Sequence, residues 1–332
     1  MLNKKFKSVT VNSVEGKILS EISEREIDSL SDGDVTISVE YSCLNYKDAL
    51  AITGKGKIMR NFPCIAGIDL SGKVIESQSE NFKEGDKVVA TSYDIGVAHD
   101  GGLSEIARIP SEWIVKLPEN LTTKESMYYG TAGYTAALAI ERLENAGLNK
   151  DSGKIVVNGS SGGVGSLAIS MLSQLGYEVV ALTGKPNMSD YLKKLGARDI
   201  IDINSLDFEK IRPLDKSTWA GAIDNLGGNC LSWMLSQMKI DGLVAAIGLA
   251  SSFKLNSTVM PFILRGVSLL GIDSVNTKMK TRKKVWDRIA SDLKVNTFDE
   301  IIKLISLNEV FEVSEKIVNS QFSGRAVVDL SK

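Results

Sequence analysis

Chemistry in this chain concentrates first in Gly159-Ser160-Ser161-Gly162-Gly163-Val164-Gly165. The turn follows the apolar run Ile155-Val156-Val157, which suits a buried strand. It precedes Val164, Ala168, Met171, Leu172 and Leu175 at helical spacing. A strand–glycine–helix turn of this kind lets backbone approach a diphosphate closely, and the free N–H groups and dipole of the helix start favour negative charge there. A second apolar strand, Tyr177 to Leu182, follows, so the unit has the length of a dinucleotide-binding βαβ unit. That strand runs into Thr183-Gly184-Lys185 with no acid at its end. An acid would read an unmodified ribose and a cation attracts a 2′-phosphate, so the expected cofactor is NADPH.

Other reactive side chains are few. His99 is the single histidine, which excludes two-histidine metal motifs and most catalytic zinc sites. Cys43, Cys64 and Cys230 are scattered and odd in number, so neither a disulfide framework nor a cysteine-rich zinc site is indicated. The segment Asn45-Tyr46-Lys47-Asp48-Ala49-Leu50-Ala51 can form one or two helical turns, with polar groups projecting from a sheet edge.

The elements that must position these groups fall into two patterns. From Phe6 to Pro118 short β segments alternate with turns at Gly16, Gly33, Gly85 and Gly101-Gly102. A helical segment from about Thr123 to Glu144 follows, and its small residues Thr131 to Ala137, Thr135 among them, either pack closely on a neighbour or touch a cofactor. Beyond it β and α alternate as far as Ile272, the pattern of a parallel sheet covered on both faces. The closing run Gly324 to Leu330 reads as a strand returning to the β-rich part.

At 332 residues the chain exceeds one usual core. Lys+Arg of 39 against Asp+Glu of 41 gives a formal charge of −2, with no global basic field for nucleic acid or membrane. No run reaches the roughly 18 apolar residues of a membrane span, and the N-terminus lacks a signal-peptide core, so a cytoplasmic protein is expected.

This order of parts resembles the medium-chain dehydrogenase/reductase superfamily. Asn45-Tyr46-Lys47-Asp48, Gly130 to Ala136, Gly159 to Gly165, Pro261 to Val267 and Gly271 to Val275 look like the YhdH/YhfP-type quinone oxidoreductases, some of them NADPH-dependent acryloyl-CoA reductases. The resemblance implies an α/β fold, a chaperonin-10-like β-rich domain (1–124 and 295–332) with an inserted Rossmann domain (125–294), a doubly wound parallel sheet. It implies a homodimer. The Gly-His-Glu of zinc alcohol dehydrogenases reads Gly67-Ile68-Asp69 here, and Cys43 alone cannot hold a catalytic metal, so no metal is expected.

Carried over by resemblance, the cofactor contacts are Gly162, Gly163, Val164 and Gly165 for the diphosphate, and Thr183, Gly184, Lys185 and Arg198 for the 2′-phosphate edge. Thr135, Leu249, Ile263, Ser274 and Asn319 line the nicotinamide and ribose, with Tyr46 the polar side chain over the ring. Chemistry then rests on the cofactor, with hydride passing to an enoyl-CoA or a quinone. Backbone N–H groups or Asn45 would stabilise the enolate, and Tyr46 or water would protonate it. The cluster Lys278, Lys280, Arg282, Lys283 and Lys284 is either a solvated helix face or a site for CoA phosphates. A non-enzymatic, crystallin-like protein binding NADPH or nucleic acid is the rival class. Net acidity and the lack of aromatic residues within the basic cluster count against it.

Overall fold

The computed structural model describes residues 5–330. It divides into two compact units, the first reaching to Thr131 and including Val275–Ala290 and the chain from Ile302 onward, the second comprising Ala132–Ser274 and Ser291–Ile301. The segment 275–290, expected with the nucleotide-binding region, therefore lies in the first unit. Arg282 explains why. It is fully buried, donates to the Thr91 carbonyl and hydroxyl, and stacks on the Tyr93 ring at 4.4 Å. One member of the basic cluster is thus a packing residue rather than a solvated cation.

In the first unit the strands are β1 (Lys5–Val14), β2 (Lys17–Glu26), β3 (Val35–Leu44), β4 (Cys64–Ile65), β5 (Asp69–Ser77), β6 (Lys87–Thr91), β7 (Ile106–Ile109) and β8 (Ile114–Lys116). The second unit holds β9 (Ile155–Asn158), β10 (Val179–Thr183), β11 (Asp199–Asp202), β12 (Trp219–Asp224), β13 (Met238–Ala246) and β14 (Ser268–Gly271). The chain then returns with β15 (Ile302–Ser306) and β16 (Arg325–Asp329).

The first unit carries a sheet in the order β2-β1-β4 and a larger one in the order β15-β16-β3-β5-β6-β8, with β7 on β3. The expected return of the closing strand is there: β16 pairs antiparallel with β3, Val327 opposite Cys43. Alternation along β3 and β5 sends Val35, Ile37, Val39, Leu70 and Val74 into one core, while the opposite faces carry polar residues. The helix Tyr46–Thr53 follows β3 directly and ends at Gly54 in the left-handed conformation.

In the second unit all six strands are parallel, in the order β11-β10-β9-β12-β13-β14. This is the doubly wound order, reversing between β9 and β12, and in such sheets ligands bind beyond the carboxyl ends of the strands at that reversal. β9 is buried throughout, as a strand covered on both faces must be. The helical stretch Thr123–Asn145 is broken at Gly130, whose φ of 49° and ψ of −153° are not helical.

Candidate active site

At the carboxyl end of β9 the chain turns through Gly159, with φ of 57°, into the helix Gly163–Gln174. A β-carbon on Gly165 would overlap the Gly159 carbonyl oxygen, so only glycine permits this close turn. Ser160 Oγ ties the turn to both neighbouring strands, its one proton shared between the Val157 carbonyl at 2.7 Å and the Leu182 carbonyl at 2.9 Å. The helix start therefore presents N–H groups at a fixed place. Beside it, at the end of β10, stand buried Thr183, exposed Gly184 and half-buried Lys185, whose N–H donates to Thr183 Oγ1 at 3.1 Å. Across the switch point Asp224 is fully buried, and burial raises its carboxyl despite N–H donors from Asn158, Gly227 and Leu226. Asn225 is anchored by Asn158, its N–H on Asn158 Oδ1 and its Nδ2 on the Asn158 carbonyl at 2.7 Å. Its own Oδ1 is buried without a partner.

The first unit holds a different kind of centre. Asp69, fully buried at the start of β5, accepts at Oδ2 from the Thr131 N–H (2.7 Å), Asn45 Nδ2 (2.8 Å) and the Cys43 thiol (3.1 Å). Its Oδ1 accepts from Thr131 Oγ1 at 2.5 Å. Arg325, buried at the start of β16, donates to Asn45 Oδ1 (2.9 Å), the Leu44 carbonyl (3.3 Å) and Cys43 Sγ (2.8 Å), and lies 4.0 Å from Asp69 Oδ2. Gly130 closes over this group: a β-carbon there would stand 2.5 Å from Cys43 Sγ and 2.6 Å from Asp69 Oδ2. Asp48, three residues into the helix that Asn45 caps, accepts from the Asn45 N–H at 2.8 Å and the Ile68 N–H at 2.9 Å. Burial, and then the nearby Asp69 charge, push its carboxyl up to about 6. Tyr46, the first residue of that helix, is 47% exposed, and its hydroxyl has no hydrogen-bond partner among the described residues.

With these geometries in view, the likeness to known proteins is unambiguous. The alcohol dehydrogenase GroES-like domain family matches residues 31–119, and the zinc-binding dehydrogenase family matches residues 163–291. The acrylyl-CoA reductase AcuI of Ruegeria pomeroyi is 43% identical over 98% of this chain and 99% of its own. The crystal structure of the Salmonella enterica yhdH oxidoreductase in complex with NADP superposes with a TM-score of 0.95 at 44% identity, covering 97% of this chain and 99% of that one. Bacillus subtilis yhfP with NAD bound gives 0.96 at 43%, covering 98% and 100%. The chain belongs to the YhdH/YhfP-type group of the medium-chain dehydrogenase/reductase superfamily. Its two expected layers, a GroES-like β-rich part and a Rossmann-type parallel sheet, are those of that superfamily.

Zinc-binding members of the superfamily need thiolate, imidazole or carboxylate ligands that converge on an open point. Here the Cys43 thiol is fully buried, burial raises its pKa well above the ordinary value although the Arg325 charge opposes the shift, and it donates to Asp69 while accepting from Arg325. Ile68 supplies no ligand, and both ring nitrogens of His99 face backbone carbonyls, those of Asp100 and Asp32, at 2.9 and 2.8 Å. Among the described residues no three His, Cys, Asp or Glu side chains are grouped for a metal. The donor set does not fit zinc, because the guanidinium already occupies the position facing the thiol.

The glycine turn does fit a dinucleotide. Gly162, Gly163, Val164, Gly165, Thr183, Gly184 and Lys185 are brought together at the carboxyl edge, and Leu249 and Ser274 follow the carboxyl ends of β13 and β14 at the same edge. Thr135 is buried within its helix in the second unit, and Asn319 is an exposed C-cap of the helix Val310–Val318 in the first.

Three expected contacts are placed otherwise. Arg198 precedes β11 and pairs with Glu178 at 3.3 Å, at the amino end of β10. At ~3.3 Å per residue it is about 13 Å along the strand from Thr183, on the wrong edge for a 2′-phosphate. Ile263 is 71% exposed on the helix Met260–Arg265, which Arg265 holds to the Ser236 and Met238 carbonyls at the amino end of β13. Asn45 has both side-chain N–H groups committed, to Asp48 at 3.0 Å and Asp69 at 2.8 Å, so its amide is not available to an enolate. Sequence reasoning missed Arg325, Asp69 and Asn225. Arg325 was visible as a lone charge opening the apolar strand Ala326-Val327-Val328, and Asn225 as a polar residue at the end of a buried strand.

Proposed function

We propose that this protein is a zinc-independent, NADPH-dependent reductase that adds hydride to the activated C=C of an α,β-unsaturated acyl-CoA of the acryloyl type. A quinone is the alternative acceptor. The observation that carries the cofactor assignment is the carboxyl end of β10, where Lys185 stands and no carboxylate follows the strand. The NADP complex of the Salmonella relative supports it, and the name of the Ruegeria relative supports the acyl-CoA substrate.

When bound, the cofactor supplies the hydride. The chain's own residues do the remaining work. N–H groups at Gly163 to Gly165 hold the diphosphate, and Lys185 attracts the 2′-phosphate. The Tyr46 hydroxyl, without a partner among the described residues, delivers a proton to the α-carbon of the developing enolate. With Asn45 committed elsewhere, backbone N–H groups hold the enolate oxygen. The neutral Cys43 thiol, engaged by Arg325 and Asp69, supports a metal-free reaction.

The exposed apolar side chains Val259, Ile263 and Leu264, next to the edge strand β14, support a homodimer. Three buried free cysteines suit a reducing, cytoplasmic location. Among the described residues no helix is long and apolar enough to cross a membrane.

Steady-state rates with acryloyl-CoA, crotonyl-CoA and a quinone, each with NADPH and NADH, test the reading. Turnover of acryloyl-CoA with NADPH is expected. Activity with the quinone alone selects the alternative acceptor, and no activity with any of them overturns the assignment.

A further inference from the structure

Two buried charges in the first unit do nothing in the reaction as proposed. Asp69 and Arg325 are each at most 2% exposed. Keeping a charge pair away from water is unfavourable, and well-packed apolar residues commonly hold a fold as firmly. The pair's contacts show what it does instead. Asp69 gathers donors from the end of β3 (Cys43), the residue after it (Asn45) and the break in the helical stretch (Thr131). Arg325 gathers Cys43, Leu44 and Asn45 from the last strand. Every hydrogen-bonding atom of the Asn45 side chain is thereby fixed, Nδ2 by two carboxylates and Oδ1 by the guanidinium. Asn45 is extended, with φ of −110° and ψ of 166°, and the next residue opens the helix. Its backbone thus sets the direction of Tyr46, whose hydroxyl has no hydrogen-bond partner among the described residues.

We propose that the buried Asp69–Arg325 pair is the positioning centre for Tyr46, so that turnover depends on the pair through the Tyr46 hydroxyl and not through the cofactor. The inference rests on the reductase reading and adds to it two positioning residues. Thr131 belongs to the same centre. Its hydroxyl gives its only proton to Asp69 Oδ1, and it accepts in turn from Ser92 Oγ at 3.0 Å. Ser92 and Tyr93 hold left-handed backbone, φ of 66° and 50°, beside it.

The test is a double-mutant cycle on the full-length protein. Arg325→Lys keeps the charge but loses the planar fork that reaches three acceptors at once. It is expected to lower kcat by roughly tenfold or more, with NADPH affinity changed by less than about twofold and with faster amide exchange across residues 45–53. Added to Tyr46→Phe it should lower kcat by less than a further ~twofold, because the two act in series. Should Arg325→Lys not fold, Thr131→Val removes one donor to Asp69 at constant shape. A drop of about threefold or more is expected, with Thr131→Ser restoring the rate. Full multiplication of the Arg325 and Tyr46 effects, or unchanged exchange at 45–53 with unchanged kcat, overturns the positioning role. An inactive wild-type protein sinks the reductase reading instead, and exchange at 45–53 still decides whether the pair holds the turn.

Discussion

The Arg325 guanidinium stands 2.8 Å from the Cys43 sulfur, although 282 residues separate the two in the chain. The contact exists because β16 returns beside β3 with Val327 opposite Cys43. A thiol that donates to Asp69 and accepts from an arginine is a satisfied neutral group, and a cation placed beside it would have to displace another cation. The purified protein is therefore expected to contain no stoichiometric zinc and to keep its activity in a chelator. Elemental analysis with one zinc per chain, and activity that follows it, would falsify this account of Cys43.

The two cations once expected at the 2′-phosphate separate cleanly. Lys185 is at the carboxyl end of β10, whereas Arg198 pairs with Glu178 at its amino end. Lys185→Glu should weaken NADPH binding by roughly ten- to a hundredfold relative to NADH, as loss of a charge-assisted contact and gain of repulsion imply. Arg198→Ala should leave the ratio within about twofold. Titration of cofactor fluorescence reads both, and a large effect of Arg198→Ala would place the phosphate on the other edge of the sheet.

How much of this was legible depended on the range of the interactions. The nucleotide turn could be read because strand, glycines and helix are contiguous from Ile155 to Gln174, and the glycine requirement at Gly165 is set by Gly159, six residues back. The edge on which Arg198 lies was also written in the chain, since it precedes its strand and ligands gather at carboxyl ends. The polar centre was not legible. Asp69, Thr131 and Arg325 meet only through sheet register and the break at Gly130, and nothing local in the segment Asn45-Tyr46-Lys47-Asp48 signals that Asn45 is fully occupied.

Asp48 makes stability depend on pH in a defined direction. Its carboxyl is raised to about 6 in the fold, first by burial and then by Asp69, from an ordinary value of 3.8. A raised carboxyl binds its proton more tightly folded than unfolded. Its contribution is thus most favourable below about 4 and is lost as pH rises through about 6, by on the order of 3 kcal/mol. Asp48→Asn cannot titrate. It also presents an amide to the Asn45 and Ile68 donors, so the variant should be less stable throughout. The difference between wild type and variant in denaturant unfolding should nevertheless shrink as pH is raised from 4 to 6.5. A difference that stays constant across this window means Asp48 is ionised in the fold, held so by its three N–H donors.

The Tyr46 hydroxyl is the remaining point on which the proposed reaction turns. It is half-exposed, without a partner among the described residues, and carried on the first residue of a helix whose cap is fixed from three sides. Tyr46→Phe keeps the ring and its packing and deletes only the proton. General acids contribute about a hundred- to ten-thousandfold, so kcat with an acryloyl-type substrate should fall well outside assay error while NADPH affinity stays nearly intact. The neighbouring amide of Asn45 is committed to Asp48 and Asp69, so it does not substitute. Turnover within about twofold of wild type, in an assay where a solvent isotope effect shows proton transfer to limit the rate, would make water the proton source. A loss confined to NADPH affinity would make Tyr46 a cofactor contact, with its hydroxyl held by the ligand rather than offered to the substrate.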